Sequence, residues 1–276
     1  MQLNCKLAPN VVKMMTLSVK DICSCIEEFA PLSWQESWDN CGLLVGDPRQ
    51  TAGKILLTVD VTEAVVAEAI EVKAQMIVGH HPLIISGIRQ LTGSTDAQRA
   101  VALAVRHDIA VYAAHTNMDS APGGVSYRMA AKLGLAGLQA LSPHNTDTRV
   151  GLGVVGMLPA PVSELHFLKK LKETFLSPVI RHTNLKNKEI LRVALCGGSG
   201  SSLLTHAIRC KADAYVAADF KYHQFADAGQ DILVADIGHY ESEQFVKEIF
   251  YELLLKKFTN FAVHFSKIKT NPINHL

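Results

Sequence analysis

With 276 residues, the chain is long enough for one large domain or two modest ones. Hydrophobic residues make up 48% and charged residues 19%, the composition of a globular protein with a substantial core. Lys plus Arg total 27 against 26 Asp plus Glu, a balance that leaves no electrostatic footprint for nucleic acid or an anionic membrane.

Two residue types refine this frame. Six cysteines (Cys5, Cys23, Cys25, Cys41, Cys196, Cys210) are scattered with no C-x-x-C pair, which reads as reduced, mostly buried thiols in a cytoplasmic protein. Cys23 and Cys25 point about 200° apart on a helix and cannot chelate together. Twelve histidines are many for this length and direct attention to metal or proton chemistry. Met1 to Met15 lacks an apolar core of signal-peptide length, and no stretch approaches a membrane span.

In chain order, Ser18 caps a first helix through Ala30, with Val19, Ile22, Ile26 and Phe29 on one face and Pro31 ending it. Trp38-Asp39-Asn40 is a polar turn before a short apolar strand, and Trp38 reads as a core or interface anchor in preference to a ligand stacker. Lys54 to Val61 is a strand, Thr62 caps the helix after it, and Ala74 to Gly79 is the next strand. This strand–helix–strand unit predicts a parallel sheet with a right-handed crossover. A helix capped by Asp96 and running to about His107, a strand over Ile109–Ala114 and a helix over Val125–Leu133 follow. The less regular 136–148 stretch reads as a connector between an N-terminal lobe, 1–135, and a C-terminal lobe, 149–276. The second half holds strands at 149–158, 178–183, 192–196, 214–218, 232–236 and 262–265. Helices are expected at 163–175 and 202–211, with a long one running to about Lys257. Gly197-Gly198-Ser199-Gly200, between a strand and a helix, is either a phosphate cradle or a tight turn.

Four strand ends carry His or carboxylate: His80 and His81, His115 and Asp119, Asp219 and His223, His239 and Glu243. Ligand sites of α/β sheets form at the carboxyl ends of strands. Adjacent His80 and His81 reach one ligand only if the backbone bends, which Gly79 and Pro82 permit; otherwise they are loop histidines with local hydrogen bonds. The other three pairs are spaced i, i+4, which places both side chains on one face of a helical turn. Imidazole with carboxylate suits Zn, Mn, Fe or Ni better than Ca or Mg, and a carboxylate can bridge two ions about 3.5–4 Å apart. Neutral His80, His81 and His239 with Asp119 and Glu243 around two divalent ions leave two positive charges over, to be met by hydroxide or a small anionic substrate.

Trp38-Asp39-Asn40…Gly42-Leu43, Gly79-His80-His81-Pro82, His115-Thr116-Asn117-Met118-Asp119, Asp219-Phe220-Lys221-Tyr222-His223 and Gly238-His239-Tyr240-Glu241-Ser242-Glu243 together resemble the GTP cyclohydrolase 1 type 2 homologue family, also called NIF-three-like, from about Val19 to the C-terminus. The resemblance implies a dinuclear metal centre on His80, His81, Asp119, His239 and Glu243, with His115 and His223 nearby as outer ligands or acid–base groups. It implies an α/β fold of two similar lobes with mixed, mainly parallel sheets, helices outside and the metals between. It further implies a toroidal homohexamer. The chain corresponds to the short form, without the small α/β domain that longer members insert near 136–149. The expected function is metal-dependent hydrolysis of a nucleotide-like or phosphorylated small molecule. Non-catalytic metal binding or delivery, or an interaction scaffold, are the alternatives.

Overall fold

A computed structural model describes residues 17–144, 147–228, 231–259 and 261–276. Cys5 and the sequence read as free of a signal peptide lie outside them.

The chain begins with α1 (Val19–Phe29), β1 (Gly42–Val45), β2 (Lys54–Leu57), α2 (Glu63–Glu71), β3 (Met76–Gly79), α3 (Asp96–Arg106), β4 (Ala110–Ala113), α4 (Thr116–Ser120) and α5 (Val125–Leu133). Ser18 caps α1 in a reciprocal capping box with Asp21, and the Thr62 hydroxyl accepts from the third amide of α2. The second half contains β5 (Ala136–Pro143), β6 (Gly151–Ser163), α6 (Glu164–Phe175), β7 (Arg181–His182), β8 (Glu189–Ser199), α7 (Leu204–Arg209), β9 (Ala214–Ala218), α8 (Tyr222–Asp227), β10 (Leu233–Asp236), α9 (His239–Glu243), α10 (Val246–Lys257) and β11 (Ala262–Phe265).

The strands form two sheets, ordered β1-β4-β3-β2-β11 and β5-β6-β8-β9-β10-β7. In the first, β4, β3, β2 and β11 are parallel and only β1 is reversed. In the second, β8, β9 and β10 are parallel while β5, β6 and β7 join by antiparallel pairs. Mainly parallel pairing therefore describes the first sheet and the centre of the second. Strand periodicity sorts the side chains. Ile55, Leu57, Met76, Val78 and Tyr112 face α1 and α10, whereas Leu56, Ile77 and Val111 face α2 and α3. The second sheet repeats the plan: Val193, Leu195, Val216 and Ala235 pack on α5 and α6, and Ala194, Tyr215, Ala217 and Val234 pack towards α7.

Two expectations about the path of the chain are corrected. The 136–148 stretch is not a connector: it contains β5, which pairs with β6 at the edge of the second sheet. The 149–276 stretch is not one lobe, because β11 pairs with β2 and α10 buries Ile249, Phe250 and Leu254 in the core of the first sheet. An edge position beside β2 was open to β11, and the apolar stripe of α10 fits the surface beside α1.

Candidate metal centre

His80 and His81 leave the carboxyl end of β3. Both of their backbone N–H groups donate to the Val59 carbonyl, at 3.0 Å each. Two successive amides on one acceptor bend the chain, so side chains that would diverge along a strand share one region. Their ring centroids stand 5.0 Å apart.

Because β4 runs parallel beside β3, His115 arrives at the same end of the sheet. Its ring lies 5.3 Å from those of both His80 and His81. Asp39 fixes this corner. Its carboxylate pairs with His115 Nδ1 at 3.0 Å and accepts from the Thr116 amide at 3.0 Å and from the Thr116 hydroxyl. Burial pushes the Asp39 carboxyl up, but these partners outweigh it and hold the group well below the usual carboxylate range. Asp119 follows on α4 and is buried.

The opposite wall comes from the second sheet. β10 ends at Asp236, Gly238 then leads into α9, and α9 presents His239 and Glu243 on one face, with His239 Nε2 3.1 Å from Glu243 Oε2. The Ser242 hydroxyl accepts from the Gly198 amide at 2.8 Å and donates to the His239 carbonyl at 2.7 Å, which joins β8 to α9. Gly198 has φ +60°, and a Cβ there would stand 2.1 Å from Glu243 Oε1. Gly197 and Gly198 therefore make room for a carboxylate. They lie inside β8 rather than in a loop ahead of a helix, so the phosphate-cradle reading gives way to close packing.

Glu243 sits at the centre of the cluster. Its Oε1 is 3.6 Å from His80 Nε2, and its Oε2 is 2.9 Å from His81 Nε2. His80 Nε2 also lies 3.7 Å from Asp119 Oδ1. Each imidazole is held by its other nitrogen. The Nδ1 atoms of His80, His81 and His239 pair at 2.7 Å with the Ala114 carbonyl, Asp60 and Asp219 respectively. Anchoring Nδ1 to an oxygen fixes the tautomer and leaves Nε2 as a lone-pair donor, the arrangement of metal-ligating histidines. Asp219 reaches its position in the left-handed region, φ +61°, a strained conformation for a non-glycine residue.

Whether these residues suit a metal can be tested on buried atoms. His80 Nε2, Asp119 Oδ1 and Glu243 Oε2 are buried without a hydrogen-bond partner. Three orphaned polar atoms converging in one place need an explanation, and a shared cation supplies one. His80, His81 and His115, and separately His81, His239 and Glu243, offer donor atoms close enough to hold an ion. The fit is good.

The electrostatics agree. Burial pulls the His81 imidazole down, but Asp60 and Glu243 overcome it and raise the group to about 10. Burial likewise opposes Asp219 and Glu243 at His239, which rises to about 11. For Asp119, burial and then the Glu243 charge push the carboxyl up to about 7. Burial also pushes Glu243 up, yet the surrounding imidazoles, His80 first, hold it well below its ordinary value. Such mutual dependence marks a cluster built to be neutralised together, by protons or by cations.

A cavity of ≈ 420 Å³ opens onto the cluster, lined in part by Trp38, His115, Asp119, Leu203, His239 and Glu243. Trp38 is not a core residue: it is 60% exposed at this cavity, its ring 5.9 Å from that of His115 and steeply inclined to it. His223 is not brought to the cluster. It is exposed on α8 with its ring against Tyr222, and Asp219, its expected i, i+4 partner, turns to His239 instead. Asp60 and the supporting role of Asp39 escaped the sequence reading. An acid within the apolar run Leu56-Leu57-Thr58-Val59-Asp60-Val61 was the available signal for Asp60.

The model of the Duf34/NIF3 (NGG1p interacting factor 3) family matches residues 17–272. Over 265 residues the chain is 33% identical to a Lactococcus lactis protein named GTP cyclohydrolase 1 type 2 homolog, covering 93% of this chain and 98% of that one. A Clostridium acetobutylicum protein of the same name is 32% identical over 231 residues, covering 83% and 86%. In three dimensions the chain is similar to a hypothetical protein of Staphylococcus aureus, with a TM-score of 0.88 at 26% identity, covering 95% and 100%. The chain belongs to the Duf34/NIF3 family.

Proposed function

We propose that His80, His81, Asp119, His239 and Glu243 hold two divalent ions (Zn, Mn, Fe or Ni) and that the centre hydrolyses a nucleotide-like or otherwise phosphorylated small molecule. One observation carries the reading: the two oxygens of buried Glu243 face different imidazoles, Oε1 towards His80 and Oε2 towards His81 and His239, as a bridging carboxylate would. Ions held there would activate a water and stabilise developing negative charge.

The chain's own residues supply the rest. His115 borders the cavity and is oriented by Asp39, so it is placed to move a proton at Nε2. Exposed Trp38 offers a face on which a planar base can stack, with Leu203 as an apolar wall. The pull on an anion is weaker than the five ligands alone suggest, because Asp39, Asp60 and Asp219 also stand behind the imidazoles. They bond the Nδ1 edge, away from Nε2, and so attenuate the surplus without occupying the ion positions.

The partial exposure of His81 and His239 favours a second reading, a site that loads and releases ions for delivery. No helix among the described residues is long and apolar enough to cross a membrane. The cytoplasmic location and homohexameric assembly belong to this proposal through the family resemblance. The test is a screen of phosphorylated metabolites on metal-loaded protein alongside His80→Ala and Glu243→Ala. Turnover in the parent, lost in both folded variants, supports hydrolysis. Undiminished turnover in both variants defeats it, and ready ion exchange without turnover favours delivery.

A further inference from the structure

A second cavity, of ≈ 600 Å³, opens between β7 and α8 and shares no lining residue with the one at the metal cluster. Arg181 lines it in a fixed pose. β7 is an edge strand, and Arg181 stands opposite Asp236 of β10 in the antiparallel register. Asp236 is buried. Its Oδ2 accepts from Arg181 Nη2 and, at 3.1 Å, from the Phe220 amide, while its Oδ1 accepts from the Gly238 amide at 3.1 Å. The Phe220 carbonyl accepts from the same Nη2 at 3.1 Å, and the guanidinium carbon lies 5.5 Å from the centre of the Phe225 ring. One nitrogen is thus committed to the protein. Nε and Nη1 have no hydrogen-bond partner among the described residues, and the side chain is half-exposed.

Aromatic surface stands beside this cation. Tyr222 and Phe225 are spaced i, i+3 on α8 and share a face of it. Tyr222 is 83% exposed, and its one ring contact is a perpendicular one with His223, centroids 5.3 Å apart. Lys186 lines the cavity as a second cation, and no carboxylate does so among the described residues.

We propose that this cavity is a second ligand site, which takes a nucleoside monophosphate with its phosphate on Arg181 and its base against the Tyr222 ring. Two cations and two aromatic rings without a lining carboxylate select a ligand that is both anionic and planar. Asp236, the Phe220 carbonyl and the Phe225 ring already hold the guanidinium, so little side-chain freedom is lost when a phosphate arrives. The volume suits a whole nucleotide, since small-molecule sites run from about 300 to 1,000 Å³. The inference does not depend on the metal reading, because none of these residues belongs to the His/Glu cluster.

The test is calorimetric titration of adenosine monophosphate, adenosine and inorganic phosphate into the full chain after chelation. All proteins carry Trp38→Ala, which removes the stacking face of the metal-centre cavity. Against this background stand Tyr222→Ala and Arg181→Gln, with thermal unfolding of each recorded. The background protein should bind adenosine monophosphate more tightly than either adenosine or phosphate. Tyr222→Ala should weaken the nucleotide about 5–100-fold, the scale of one base–aromatic stack, and leave phosphate unchanged. Arg181→Gln should weaken the nucleotide roughly 10–100-fold and leave adenosine unchanged, as expected for loss of a charged hydrogen-bond donor. Tyr222 is exposed, so its variant decides the question even if Arg181→Gln, which takes a partner from buried Asp236, unfolds early. No nucleotide binding by the background protein would overturn the proposal. So would equal nucleotide affinity in the background and Tyr222→Ala proteins, or equal affinity of the background protein for adenosine and its monophosphate.

Discussion

The Nε2 atoms of His81 and His239, 158 residues apart in the chain, face each other at 3.4 Å. Glu243 Oε2 lies against both, at 2.9 and 3.1 Å. The two imidazoles come from different sheets and are each locked from behind by an aspartate. A contact so arranged serves coordination better than packing, since three donor atoms meet where an apolar core would place none.

Glycine 198 should be as necessary as the ligands. Gly198→Ala drives a Cβ to 2.1 Å from Glu243 Oε1 and also strains a backbone at φ +60°. Gly137→Ala isolates the strain, because its φ is +66° and a Cβ there meets nothing within 4 Å. Both should lose about 1 kcal/mol or somewhat more from the backbone. Only Gly198→Ala should also lose metal, as measured by elemental analysis and thermal unfolding. Full metal content in Gly198→Ala would refute this role.

Asp39 should matter to stability in a pH-dependent way. Its folded pKa is depressed, so its contribution is present above the unfolded carboxylate value near 4 and is lost as pH falls through the lower folded value. Asp39→Asn weakens bonds to His115 and to the start of α4, for an expected loss of about 1.5–3 kcal/mol at neutral pH. Denaturant unfolding of parent and variant from pH 7 downward should show the gap closing only in the acid range. A gap independent of pH would show that charge is not the cause.

Much of this was legible in the sequence. The i, i+4 spacing of His239 and Glu243 and the strand-end position of His80-His81 announced the cluster, because helical and strand periodicity fix direction locally. The Asp219–His223 pair obeyed the same spacing and misled. Asp219 takes a left-handed backbone, so the helical turn that would align it with His223 does not begin there. Asp60 was silent for a different reason: its importance lies in a side-chain bond to His81 across elements, which no local pattern encodes. The return of β11 to the first sheet was hidden likewise, since edge pairing depends on which edge is open.

Trp38 should govern recognition of a base rather than the chemistry. Trp38→Ala should weaken binding of a nucleotide to metal-loaded protein by about 1–3 kcal/mol, the scale of base–aromatic stacking. Binding of a ribose phosphate without a base should be unchanged. Calorimetric titration reads binding in both proteins, since the variant lacks the indole that would report stacking by fluorescence. Equal loss for both ligands would assign Trp38 to the shape of the cavity.

The central claim is that Glu243 holds two ions between the walls. Metal content per chain after purification without chelators tests it most directly, in the parent, Glu243→Ala and His223→Ala. The account predicts two divalent ions in the parent, two in His223→Ala and fewer in Glu243→Ala. A parent without metal, or a Glu243→Ala variant that keeps two ions, would contradict it.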